Sequence, residues 1–168
     1  MLSEFKKDTY KSIDRKISVN PVLHSFQWAV NEYKIDMTLI DQFLKSMEQD
    51  LNDIEYSNDA YQEYIVGSAE VVGLMCLKVF VNGDQKLYEE LEESARRLGA
   101  AFQKVNFLRD VKADYEDLGR TYFPGVDLTS FTSQEKSKIE QDIQNDFFYA
   151  LEGIKKLPSS SRLGVFVA

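Results

Sequence analysis

The sequence predicts an all-α fold. Apolar residues recur at intervals of three and four along each long segment, residues able to cap helix N-termini stand just ahead of those segments, and the most apolar stretch, Ile65 to Val81, carries Glu70 and Lys78 and is short for a membrane span. The 168 residues, 43% hydrophobic and 29% charged, suffice for one core, so one whole or partial domain over 1–168 is expected. A net charge of −8 and a pI near 4.8 exclude the electrostatic footprint of a nucleic-acid binder, and no basic stripe relieves it. Phosphate chemistry on such a chain must recruit metal. Residues 1–20 are polar and mixed in charge and do not read as a signal peptide. The lone Cys76 cannot form an internal disulfide, is expected to be a small core residue, and fits a reducing, cytoplasmic compartment.

Taken in order, Ser3 to Ile17 alternates lysine and aspartate and predicts a short exposed helix. After Pro21, the series Val22, Phe26, Ala29, Val30 and Tyr33 predicts an amphipathic helix; His24, the only histidine, reads as a surface or satisfied core group. Asp36 is the expected N-cap of a core helix with Leu39, Ile40, Phe43, Leu44, Met47 and Leu51 on its inner face. Ser57 is placed to cap a long helix to about Val81, in which Tyr61, Tyr64, Gly67, Ser68, Val71, Val72, Gly73, Leu74 and Met75 form a small or apolar wall. Glycine inside a helix costs about 1 kcal/mol against alanine, so Gly67 and Gly73 call for close helix packing or a ligand cavity as compensation. Asn82-Gly83-Asp84 reads as a turn and N-cap, after which Leu87, Leu91, Ala95, Leu98 and Phe102 carry a helix of more than 30 residues towards Gly119. Thr132 to Glu135 is a capping box for a helix with Ile139, Ile143, Phe147, Ala150, Leu151 and Ile154 inward; Pro158 breaks it and a further helix starts at Ser159.

The longest of these helices carries the chemistry. Gln103, Asn106, Asp110, Asp114 and Asp117 are spaced three, four, four and three, which puts them on one stripe roughly 21 Å long. Leu98, Ala101, Phe102, Val105, Leu108 and Val111 fill much of the rest, so most of the helix is expected to be buried, and a buried carboxylate row needs cations. An amide and two carboxylates at i, i+4 and i+8 set hard oxygen ligands about 6 Å apart, a spacing suited to Mg²⁺ ions shared with a phosphate chain. Arg109, Lys112 and Arg120 stand near enough in sequence to neutralise phosphate oxygens. The plain alternative is a solvated acidic face.

The residues of this stretch, Gln103-x-x-Asn106-x-x-Arg109-Asp110-x-x-x-Asp114 followed by Gly119-Arg120-x-Tyr122-x-Pro124, resemble the second aspartate-rich motif of the squalene and phytoene synthase family. Tyr64 to Met75 resembles the family's helix YCYRVAGTVGLM, with Val66 in place of a tyrosine and Glu70 in place of a glycine; an ion pair between Glu70 and a lysine is the simple alternative role. Met47-x-x-Asp50-Leu51 and the pattern from Leu157 are similar to the family as well. The resemblance covers about Pro21 to Ala168 and implies an isoprenoid synthase-type helical bundle. The family's earlier Asp-x-x-x-Asp helix finds no match, so the chain is expected to be a piece shortened at both ends and inactive as a synthase by itself.

The resemblance further implies a prenyltransferase that condenses two geranylgeranyl diphosphates head to head through a cyclopropyl diphosphate, in carotenoid biosynthesis. In that scheme Asn106, Asp110 and Asp114 hold Mg²⁺ (or Mn²⁺), Asp110 and Asp114 being catalytic, and Gln103, Arg109, Tyr64, Gly67, Gly73 and Arg120 contact substrate. Partners would be prenyl diphosphates, with peripheral membrane association for an apolar product and self-association through uncovered helix faces. Two alternatives stay open: a squalene or dehydrosqualene synthase acting on farnesyl diphosphate, and a helical interaction domain without chemistry.

Overall fold

The computed structural model describes residues 2–51, 58–118, 123 and 132–167, the side chains of 58 and 111–118 excepted. Among the described residues every regular element is helical, as the periodicities require: α1 (Leu2–Arg15), α2 (Pro21–Tyr33), α3 (Met37–Gln49), α4 (Asn58–Ile65), a π-helical turn (Val66–Glu70), α5 (Val71–Phe80), α6 (Gln85–Leu118), α7 (Ser133–Lys156) and α8 (Ser159–Val167). None is long and apolar enough to cross a membrane.

The caps expected at Asp36, Asp84 and Thr132 form, Ser57 lies outside the described residues, and Asn20 adds a cap that the sequence reading did not single out. Asn20 accepts from the N–H groups of Val22 and Leu23 at the start of α2, with Pro21 in the first turn where its missing N–H is harmless. Asp36 accepts from Thr38 N–H, which holds its carboxyl below the usual range. Asp84 accepts from Leu87 N–H, and the turn before it needs the left-handed backbone of Asn82 and Gly83 (φ 84°). Thr132 and Glu135 exchange side-chain and backbone bonds in a full capping box.

Helix α5 and its neighbours make the main core. Val71, Leu74 and Leu77 meet Val30, Ile40 and Leu44 of α2 and α3 on one side and Tyr88, Leu91 and Ile154 of α6 and α7 on the other. The long helix expected from Ser57 to Val81 is present from Asn58 to Phe80, but the π-turn inserts a wider turn in its middle. Its glycine packs: a Cβ on Gly67 would lie 2.9 Å from Ser46 Cβ of α3. Gly73 and Gly99 then let α5 and α6 touch backbone to backbone, a Cβ at either falling 2.5 Å from the carbonyl oxygen of Ala95 or Ala69 respectively. The two helices run antiparallel, since 69 meets 99 and 73 meets 95.

Several faces differ from expectation. Helix α1 is not a free surface helix; it packs on α2 and buries Thr9 and Ser12, whose hydroxyls return to carbonyls of its own preceding turn. In α2 the buried residues are Leu23, Gln27 and Val30, while Val22 is exposed; the Gln27 amide oxygen accepts from Asn31 Nδ2 at 3.3 Å. Leu51 is exposed. In α7 the inner position is Asp146, not Phe147. Glu70 pairs with Arg96 at 3.5 Å and not with a lysine, and burial raises its pKa despite that partner.

The contact geometry separates the glycines by function. Gly73→Ala and Gly99→Ala should each cost about 1–3 kcal/mol in urea unfolding, because a methyl meets backbone that cannot swing away. Gly164→Ala, where a Cβ meets nothing within 4 Å, should be neutral or slightly stabilising. Equal losses at all three would contradict the close approach.

Candidate functional site

Where α5 and α6 part on the side away from α3, they leave a groove of about 810 Å³, with α7 and α8 as its other walls. The size suits an organic ligand. Ser68, Val72 and Gly73 come from the π-turn and α5, Leu98, Gly99 and Phe102 from α6, and Ala150, Gly153 and Leu157 from α7. Cys76, expected in the core, lines this groove and is exposed to it; the apolar surroundings push its thiol pKa up.

The polar stripe begins at the rim. Gln103 lines the groove, and Asn106 and Asp110 follow on the same face over the next two turns of α6. Asn106 and Arg109 are exposed and Asp110 is partly so; Phe102 and Val105 are also exposed, so this part of α6 is more open than its apolar content led one to expect. Arg109 donates two bonds to Asp110, at 2.7 and 2.6 Å, and holds its carboxyl below the usual range. The backbone stays helical to Leu118, so Asp114 continues the stripe by position; its side chain and all of Arg120 lie outside the described residues. No group of three or more His, Cys, Asp or Glu is gathered for a metal among the described residues. By donor type, Asn106 and Asp110 suit a hard cation such as Mg²⁺, with one amide and one carboxylate a turn apart and open to solvent.

Of the other expected site residues, Tyr64 is buried in an aromatic cluster, 5.9 Å from Phe107, with Tyr61 and Phe123 around them. Phe123 is thus fixed beside the stripe by Tyr61 (6.0 Å) and Phe107 (6.2 Å). Gly73 both packs on α6 and lines the groove, whereas Gly67 faces α3. Gln103 and Gly73 are therefore brought to one cavity; Tyr64 and Gly67 support its frame.

Sequence reasoning missed the charges beneath the stripe. Lys104, beside Gln103 but directed inward, donates to Asp142 (2.5 Å) and Asp146 (2.7 Å) of α7, and Arg97 donates to the other oxygen of Asp146 at 2.8 Å. Asp146 is 1% exposed and Lys104 8%. Burial alone would lower the Lys104 pKa, but the two carboxylates outweigh it and raise it. Tyr61 is pushed above the tyrosine range by burial and by the same two carboxylates. A signal was available: Lys104 follows Ala101 by three, and Asp146 falls between Ile143 and Ala150 at intervals of three and four, so each apolar face carries one charge and the two are of opposite sign.

Compared with known proteins, the chain matches the sequence model of the squalene/phytoene synthase family over residues 1–167. It is 27% identical over 139 residues to a 4,4′-diapophytoene synthase of Staphylococcus haemolyticus, covering 82% of this chain and 45% of that protein. It is 29% identical over 156 residues to a bifunctional lycopene cyclase/phytoene synthase of Phycomyces blakesleeanus, covering 80% of this chain and 26% of that one. The chain thus spans less than half the length of these relatives. A squalene synthase of Alicyclobacillus acidocaldarius has the same fold, with a TM-score of 0.77 at 18% identity over 96% of this chain and 65% of its own.

Removing one partner of the buried charge network should cost far more than removing a matched pair. Asp146→Leu alone should lose on the order of 3 kcal/mol in denaturant unfolding, and adding Lys104→Leu should restore part of it, since the single change leaves the buried ammonium with the exposed Asp142 as its one remaining carboxylate partner. Strictly additive losses would show that the two groups do not interact.

Proposed function

The chain belongs to the squalene/phytoene synthase family, and on that premise we propose that the protein joins two geranylgeranyl diphosphates head to head, as a phytoene synthase of carotenoid biosynthesis. The observation that carries this reading is the meeting of the apolar groove and the polar stripe at Gln103. A prenyl diphosphate has the same division, an apolar tail joined to a polyanionic head.

In this reading the groove takes the tail and the stripe the head. Asn106, Asp110 and Asp114 hold Mg²⁺, Mn²⁺ being an acceptable substitute for the same oxygen donors. The bound cation supplies positive charge where diphosphate gains negative charge as it leaves. Arg109, already beside Asp110, can turn a guanidinium N–H to a phosphate oxygen, and Arg120 is the second candidate for that task. Gln103 orients the head at the rim by amide hydrogen bonds. Phe102, Leu98 and Val72 keep water from the allylic carbon, which protects a carbocation from capture. Such electrostatic stabilisation favours the transition state because charge on the leaving group grows along the reaction. Leu163, Phe166 and Val167 are exposed on α8 and Phe148 on α7, which supports self-association or a peripheral membrane position for handling an apolar product.

A farnesyl-based reading has its own support in the diapophytoene synthase relative, which aligns over most of this chain. The length of the hydrocarbon product separates the two.

In the full-length protein, Asp110→Asn and Asp114→Asn should each lower Mg²⁺-dependent turnover by about 10² or more while leaving helical content unchanged, since each removes a charge and no apolar packing. Steady-state rates at saturating Mg²⁺ with geranylgeranyl diphosphate check this. Wild-type rates in both variants would overturn the assignment of the stripe.

A further inference from the structure

The groove has two different ends. At one stands Gln103 with the stripe beyond it. The antiparallel contacts of α5 on α6 and of α7 on α6 (Lys104 with Asp142, Arg97 with Asp146, Glu90 with Lys156) lead from there to the other end, near Phe80, Leu91 and Leu157. From Gln103 to Leu91 is twelve residues of α6, about 18 Å. That is on the scale of a prenyl tail of three to four isoprene units. At the far end Ser161, in the first turn of α8, donates to the Phe80 carbonyl at 3.4 Å and ties α8 to α5, and Phe80 and Tyr33 of α2 are both among the residues lining the groove. Both rings are half-buried against the main core.

We infer that Phe80 is a specificity-determining residue: its ring is the floor against which the tail of a prenyl diphosphate ends, and it sets how long a tail the groove accepts. The inference rests on the proposed function and assigns a part of the site that the aspartate-rich stripe does not touch. The tail enters at Gln103 with its diphosphate left on the stripe and runs past Gly73 and Cys76 towards Phe80. Its last methyl groups meet the ring one helical turn beyond Cys76. Truncating the ring lengthens the groove, whereas filling the wall opposite shortens it. Gly164 offers that second change, because it lines the groove one turn beyond Ser161 and a Cβ there meets nothing within 4 Å.

Cys76 is the sole cysteine and faces the groove, so its alkylation reports occupancy without any turnover. The test measures protection of Cys76 from a small maleimide at mildly alkaline pH, where its raised pKa still leaves reactive thiolate. Non-ionisable thiodiphosphate analogues with farnesyl and with geranylgeranyl tails are titrated in the presence of Mg²⁺. Phe80→Ala should shift the ratio of half-protecting concentrations by about tenfold in favour of the longer tail, and Gly164→Leu should shift it by a similar factor in favour of the shorter. Phe80→Leu should fall between wild type and alanine, and serves if the alanine variant does not fold. Protection by both analogues with a ratio unmoved in all variants would overturn the floor assignment and leave the groove as the tail site. Failure of both analogues to protect Cys76 in the unmodified protein would overturn the assignment together with the reading on which it rests.

Discussion

The structure depends first on the contact between α5 and α6, where two glycines remove the side chains that would hold the backbones apart. Each glycine meets the carbonyl of a residue four positions from the other contact, Gly73 against Ala95 and Gly99 against Ala69. The contact is reciprocal. With the two helices this close on one side, the space on the other is left to side chains of α7 and α8, and the groove is what they do not fill. Close packing and open groove, which looked like rival explanations of the same small residues, are the two sides of one helix pair. The π-turn contributes by directing Gly67 to α3 while Ala69 stays on α6.

The second constraint is the charge network between α6 and α7. Lys104 and Arg97 against Asp142 and Asp146 sum to zero, so it adds little net field to the stripe above it. Its effect is geometric. A buried ammonium with two carboxylate partners permits one rotation of α6 about its axis, and Gln103, Asn106 and Asp110 follow from that rotation. Buried ion pairs often contribute less stability than well-packed apolar groups would, and their better attested use is to fix register. Outer pairs such as Lys155 with Glu152, exposed on both sides, do not have that leverage.

The helices, their caps and the polar stripe were legible because each rests on local rules. Asp36, Asp84 and the Thr132–Glu135 box announce helix starts within a few residues of where they occur, and a three-and-four period survives in a single sequence. What failed depended on partners far away in the chain. Phe147 was expected inward and Asp146 was not singled out, since nothing in α7 alone reveals the cations of α6 that make burial of Asp146 affordable. Cys76 was expected in the core because its neighbours are apolar; whether an apolar face meets another helix or an open groove is decided by tertiary packing. Asp114 and Arg120, which the motif also singles out, have no described side chains, and their roles stand on position along the chain.

Helix α6 is 34 residues long, about 51 Å, and belongs to three neighbourhoods at once: the main core at Tyr88 and Leu91, the groove from there to Gln103, and the polar stripe beyond. A single unbroken rod therefore transmits torsion. Slipping its register by one residue at the glycine contact turns every later side chain by about 100°, which would swing Asn106 and Asp110 off the groove axis. Small insertions near Gly99 should thus be poorly tolerated. The separation between the apolar groove and the polar stripe is built in as a pitch and a phase of one helix, and can change only in whole-residue steps.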